Sequence, residues 1–146
     1  MIDGEHLGEN LGKVLLLITL DENGWPYVAM LGTLEVIAID RRTIRIAPWN
    51  GSTTTENLRR NAKVTLIAVD EAMAYYVQGT ARELARELDG FPGMSKIEVR
   101  VESLLEDNAL DYEGSARITT GVRFENPRMD AAYIEHARGV LDSLRR

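Results

Sequence analysis

The chain has no cysteine. That excludes disulfides, thiolate metal sites and a cysteine nucleophile, and makes a reducing interior its natural compartment. Long apolar runs are missing too: the longest, Val14 to Ile18, falls far short of the roughly 20 residues a helix needs to cross a bilayer. The opening Met1-Ile2-Asp3-Gly4-Glu5 lacks the basic start and apolar core of a signal peptide. These absences lead to the expectation of a soluble, cytoplasmic protein with no membrane partner. Basic residues are in deficit, 17 Lys and Arg against 23 Asp and Glu for a net charge of −6, which argues against nucleic acid, whose phosphates call for a basic stripe. The pairs Arg41-Arg42 and Arg59-Arg60 are too short to reverse that balance.

Histidine is scarce, with His6 and His136 both in terminal elements, so a histidine-based metal or acid–base centre has little to draw on. Each reads more readily as packing than as a catalytic base, which needs a positioned partner. No Gly-x-Ser-x-Gly, His-Glu-x-x-His, P-loop or Rossmann glycine pattern is present. The acidic runs Asp21-Glu22-Asn23 and Glu106-Asp107-Asn108 lack the ligand spacing of a calcium loop and read as solvated turns. No catalytic side chain and no metal site is therefore nominated.

What is present is β pattern. The 146 residues, 45% of them hydrophobic, suffice for one domain with a core. Lys13 to Leu20 is an apolar, β-branched run of strand length, and Asp21-Glu22-Asn23-Gly24 carries a hairpin-turn signal before Trp25 to Gly32 returns. Leu34 to Ile39 and Thr43 to Ala47 predict a second hairpin, with Ile44 and Ile46 facing the core and Thr43, Arg45 and Ala47 facing solvent. Lys63 to Val69, Met73 to Ala81 and Lys96 to Leu104 predict further strands. Gly79 marks a bulge or a close backbone approach. Arg82 to Leu88 reads equally as strand or helix, and Ala116 to Phe124 as one more short strand. The chain from Met129 through Ala132, Tyr133, His136, Ala137, Val140, Leu141 and Leu144 has helical spacing and would dock on the barrel or on a partner subunit. Short turns linking six or more antiparallel strands favour a compact β-barrel over a sandwich.

One stretch stands out chemically. Ser52, Thr53, Thr54 and Thr55 precede Glu56-Asn57-Leu58, and Thr53 with Glu56 fits the Ser/Thr-x-x-Glu capping box, which starts a helix near Thr53. Four hydroxyls beside the free N–H groups of a first turn would receive a phosphate well. Ordinary capping explains the same residues. Trp49, next to Pro48, is likewise open to two readings, packing or stacking on a planar ligand.

The order of these motifs resembles the FMN-binding split-barrel superfamily, that of pyridoxamine 5′-phosphate oxidase and the small bacterial FMN-binding proteins. The likeness covers about Leu11 to Leu104 and is carried by Gly24-Trp25-Pro26, the Ser52 to Val69 segment, and Tyr76, Gly79 and Ala81. It implies a mainly β fold, a six-stranded antiparallel Greek-key split barrel with short helices and a C-terminal helix. The chain would be a single domain, with a core over about 11–104 and an extension over 105–146. It implies a homodimer with FMN between the subunits and a small-molecule or protein electron donor or acceptor. Ala47, Pro48, Trp49 and Asn50 would lie against the flavin ring, Ser52, Thr53, Thr54 and Asn57 would hold the phosphate, and Val28, Ala29 and Met30 would contact the other edge. Relatives place a Lys or Arg among the phosphate ligands, where Thr53 and Thr54 stand here; Arg59 or Arg60 could assist. The implied function is an FMN-dependent oxidoreductase or electron-transfer protein, if it is an enzyme. The alternatives are an F420-dependent reductase, a flavin carrier or sensor, and a cofactor-free binding protein. Haem fits poorly for want of a placed axial ligand. Pyridoxamine phosphate oxidation itself is disfavoured, since Gly114 to Phe124 departs from the oxidase pattern and leaves Arg117 and Arg123 without an assigned role.

Overall fold

The computed structural model describes residues 2–5, 7–107, 116–125 and 130–146; readings that rest on His6, Asn108, Gly114, Pro127 or Met129 lie outside these. After a short helix α1 (Leu7–Asn10), two hairpins follow: β1 (Val14–Leu20) with β2 (Pro26–Gly32), and β3 (Val36–Asp40) with β4 (Thr43–Ile46). Helix α2 (Thr53–Arg60) leads into β5 (Lys63–Asp70), β6 (Met73–Ala85) and β7 (Lys96–Asp107), and α3 (Ala131–Arg145) comes last. The strands form one antiparallel sheet in the order β2-β1-β5-β6-β7-β4-β3, curled into a half-barrel. Each hairpin contributes two full strands, so with β5, β6 and β7 the sheet has seven strands rather than the six expected.

Residue chemistry accounts for the main features. In β1, Val14, Leu15, Leu17 and Thr19 are buried and alternate with half-buried residues, as a central strand flanked by β2 and β5 requires. The first hairpin closes on Asp21, whose Oδ1 accepts from the N–H groups of Asn23 and Trp25 at 2.8 and 2.9 Å, while Gly24 takes φ +80°. Gly79 sits at a register shift in the β6–β7 ladder, and a Cβ there would fall 2.5 Å from the Arg100 carbonyl oxygen. It is both the bulge and the close approach that its position in the strand predicted. The undecided 82–88 stretch continues β6 as far as Ala85 and then turns.

Four expectations need correction. The second hairpin does not begin as strand at Leu34: Thr33–Glu35 is a 3-10 turn, with Thr33 and Leu34 buried at the corner between hairpins. Segment 116–125 forms no strand; one bridge from Arg123 to Lys13, and hydrogen bonds from the Val14 and Ala72 N–H groups to the Val122 and Ile118 carbonyls, tie it to the sheet's end. The capping box is displaced by one residue. Ser52 is the N-cap, its Oγ accepting from Thr55 N–H at 3.3 Å, and Glu56 pairs instead with Arg59 at 2.8 Å.

The fourth correction concerns the outer face of the second hairpin, which was expected to be solvated. Ile37 and Ala47 are fully buried there with Leu88, Met94, Val140, Leu141 and Leu144, because α3 docks on this face of its own barrel. The barrel interior is a separate core around Leu15, Leu17, Ile46, Leu66, Ile97 and Val99. Helix α3 is capped at its start and tied to the barrel at its end. Asp130 caps its start by accepting from Tyr133 N–H at 2.9 Å. At its end, Arg45 Nη1 donates to the Leu144 and Arg145 carbonyls at 2.8 and 3.0 Å, and Lys96 Nζ to Ser143 O at 3.0 Å. Gly139 lies where a Cβ would come within 2.7 Å of the Phe91 ring, so helix and loop meet without an intervening side chain.

Candidate functional site

The connection from β4 to α2, residues 47–52, is an irregular turn held from several sides. Ala47 N–H donates to Glu35 O at 2.8 Å, Asn50 N–H to Gly93 O at 2.7 Å, Ser95 N–H to Pro48 O at 2.8 Å, and Thr55 Oγ1 to Trp49 O at 2.7 Å. Arg59, in the last turn of α2, donates from Nη1 to Asn50 O at 3.2 Å and from Nη2 to Asn50 Oδ1. Its Nε and Nη2 also grip the Glu83 carboxylate at 3.2 and 2.6 Å, and Ser95 Oγ donates to the same carboxylate at 2.6 Å. The hydrogen bond with Glu83 raises Arg59 above its usual range, and Arg59 in turn holds the Glu83 carboxyl below its own. Arg59 is thus a structural clamp whose donors are already committed. Arg60 reaches back to Asn57 Oδ1 at 3.2 Å.

At the start of α2 the N–H groups of Thr53 and Thr54 have no acceptor among the described residues, because the Ser52 cap serves Thr55 and the Ser52 carbonyl serves Glu56. Thr53 is exposed and Thr54 is 5% exposed. Two free N–H groups, the Thr53 hydroxyl and the positive end of the helix dipole can receive an anion.

The nominated residues fall into three groups. Trp49, Asn50, Ser52, Thr53 and Thr54 lie together on the turn and first helical turn, with Trp49 63% exposed. Ala47, Pro48 and Asn57 belong to the same segment but are buried. Asn57 donates from Nδ2 to Thr19 Oγ1 at 3.0 Å, which fastens α2 to β1. Val28, Ala29 and Met30 lie on β2, an edge strand paired only with β1; Val28 and Met30 are more than half exposed. Thr19 faces Tyr27 across the β1–β2 ladder, so the Asn57 bond links helix and edge strand through one intervening strand.

Sequence reasoning missed a second set. A cavity of about 500 Å³ opens beside the turn, lined by Trp49 and by Glu35, Phe91, Phe124, Tyr133 and His136, with Leu34, Met94 and Val140 among its apolar walls. These residues come from the 3-10 turn, the 90–94 loop, segment 116–125 and α3, and no spacing in the sequence joins them. The Phe91 and His136 rings meet edge to face at 5.2 Å. Burial pushes the Glu35 carboxyl up, partly offset by the Gly32 N–H that donates to Oε2 at 3.3 Å. His136, whose position beside the apolar stripe suggested boundary packing, is exposed at this cavity.

No group of three or more His, Asp or Glu side chains able to hold a metal occurs among the described residues, and no helix among them is long and apolar enough to cross a membrane.

Comparison with known proteins agrees with this architecture. An uncharacterized protein of Bacillus subtilis (strain 168), YclD, is 34% identical over 125 residues, covering 86% of this chain and 79% of that one. A candidate pyridoxamine 5′-phosphate oxidase from Lactobacillus delbrueckii superposes with a TM-score of 0.56 at 23% identity, covering 68% of this chain and 87% of that one. An F420 reductase superposes with a TM-score of 0.56 at 15% identity over 66% of this chain and 91% of the other; likenesses this distant establish the fold alone. The family model described as pyridoxamine 5′-phosphate oxidase matches residues 11–122, and the chain belongs to that family.

Proposed function

We propose that the protein binds FMN along the β4–α2 turn and works as a flavin-dependent oxidoreductase or electron-transfer protein. The observation that carries this reading is the pair of unpaired N–H groups at Thr53 and Thr54, on a turn already fixed by Arg59, Glu83 and Ser95. The donor set fits a phosphate: two N–H groups and the Thr53 hydroxyl, with the helix dipole behind them. Trp49, largely exposed on the same turn, offers a flat face to a ring system. Bound flavin would supply the hydride or electron chemistry, while the chain binds and orients it.

Hydrogen bonds to a charged group contribute about 1.5–3 kcal/mol each, so N–H and hydroxyl donors can hold the phosphate without a cation. Thr53→Ala should weaken FMN binding by at least about tenfold, where a hydroxyl contact to the phosphate of about 1.5–3 kcal/mol is lost. Titration of the purified protein with FMN, followed by heat and by visible absorbance, tests the reading. A colourless protein that takes up no flavin and releases no heat overturns it.

We propose that a second copy of the chain covers part of the exposed sheet. Tyr27, Val28 and Met30 on the free edge of β2, and Leu104 and Leu105 on β7, expose apolar surface that a homodimer would cover. Sedimentation at micromolar concentration separates dimer from monomer. The alternative cofactor is the deazaflavin F420, whose phosphodiester the same Thr53 and Thr54 N–H groups could receive. Parallel titration with both cofactors decides between them.

A further inference from the structure

The cavity beside Trp49 combines two features that seldom coincide without a ligand to explain them. Its walls are aromatic: Trp49 and Phe124 are 63% and 44% exposed, and Phe91 and Tyr133 are half-buried around the same space. Its charged group is an acid. Glu35 accepts one hydrogen bond from the Gly32 N–H and has no cationic partner among the described residues. An isolated carboxylate at an apolar wall is costly unless a positive charge faces it, and its carboxyl is indeed pushed up by burial. Aromatic faces attract cations through the ring quadrupole.

The type of cation follows from the scarcity of acceptors. Apart from Glu35, the side chains lining the cavity offer only the Tyr133 hydroxyl and the His136 ring as acceptors. A primary ammonium carries three N–H donors, and matching them would require Glu35, Tyr133 and His136 to converge on one nitrogen. A fully methylated ammonium carries none, and its methyl groups suit the apolar walls. We propose that this cavity is a binding site for a quaternary ammonium compound, with Glu35 as counter-ion and Trp49, Phe91, Phe124 and Tyr133 as an aromatic cage. The site shares the exposed face of Trp49 with the proposed flavin site but uses none of the α2 N–H groups, so cation binding to the flavin-free protein does not depend on whether FMN binds.

Trp49 itself reports occupancy. In a Trp25→Phe background, where Trp49 is the sole remaining tryptophan, choline and phenyltrimethylammonium are titrated at pH 8 and constant ionic strength, against 3,3-dimethylbutan-1-ol, which keeps choline's shape without its charge. Saturable fluorescence changes with both cations, at least about tenfold weaker with the neutral alcohol, are expected. Glu35→Gln should lower cation affinity by a similar factor and leave the alcohol's response unchanged. Phe124→Ala, at an exposed wall, should weaken the cations without affecting the fold. No saturation, or an equal response to the alcohol, overturns the proposal whether or not the Glu35 variant folds. Titrating FMN and the cations into separate flavin-free samples keeps the two readings apart: a protein that ignores FMN but binds the cations retains this site and loses the flavin one, and the reverse result does the opposite.

Discussion

Replacing Arg59 with alanine asks whether the 47–52 turn depends on one guanidinium. Arg59 meets the Glu83 carboxylate with two donors and the Asn50 carbonyl with a third, and the Arg59 and Glu83 side chains are 19% and 22% exposed. A fully exposed ion pair contributes about 0–1 kcal/mol. Removing one partner of a fully buried pair costs about 3–5 kcal/mol. Partial burial puts Arg59→Ala between these limits, at about 2 kcal/mol. The further contact with Glu56 adds little, because that side chain is 56% exposed. Urea unfolding of wild type, Arg59→Ala, Glu83→Ala and the double variant should return a coupling energy of about 1–2 kcal/mol. The pH dependence has a definite sign. Arg59 first, and the Ser95 hydroxyl after it, hold the Glu83 carboxyl below its ordinary value of 4.5. A carboxyl depressed in the folded state stabilises the fold above its unfolded pKa and loses that contribution as pH falls through the folded value. The gap between wild type and Arg59→Ala should therefore stay constant between about pH 7 and about pH 5.5 and narrow below about pH 4. Additive single variants, or a gap that widens in acid, would refute the clamp.

Gly79→Ala should destabilise by about 1–3 kcal/mol, since the added methyl meets the Arg100 carbonyl at 2.5 Å and Val99 Cγ1 at 2.7 Å, one of them backbone that cannot move aside; the urea midpoint measures it. Leu144→Ala removes a side chain with 0% exposure beneath α3 and should cost about 2–5 kcal/mol by the same assay. Arg45→Met keeps most of the apolar stem but loses both carbonyl contacts at the end of α3. It should lower stability by about 1–2 kcal/mol and speed amide exchange selectively in the last turn of that helix.

The strands were legible because their period survives in the residues themselves: Ile97, Val99 and Val101 against Glu98, Arg100 and Glu102 needed no tertiary information. Gly79 was legible for a related reason, a residue without a side chain placed where a strand should fill space. Ala47 was misjudged because alternation reports which residues share a face, and says nothing of what covers that face. The burial of Ala47 depends on α3, most of a hundred residues further along, as the Arg45 contact to Leu144 across 99 positions illustrates. The capping box failed by one residue because four consecutive hydroxyls permit several frames, and the Thr55 hydroxyl's bond to the Trp49 carbonyl favours Ser52 as the cap. Glu35 was invisible as a site residue. Its significance comes from neighbours on four other parts of the chain, and a lone glutamate at a turn carries no signal of its own.

The pairing of β4 with β7 has a consequence for how the site comes into being. Arg45 and Glu98 are 53 residues apart, and the carbonyl and N–H groups that fix the turn, at Gly93 and Ser95, belong to the same late stretch. During synthesis, then, the first hairpin and α2 can begin to form while the turn between β4 and α2 still lacks its partners at Gly93 and Ser95. Non-local contacts of this kind form late and slowly. A ribosome paused before residue 93 would display the anion-receiving helix start on a chain that has not yet acquired the wall beside it, and loading with any ligand that needs both must wait for β7 to emerge.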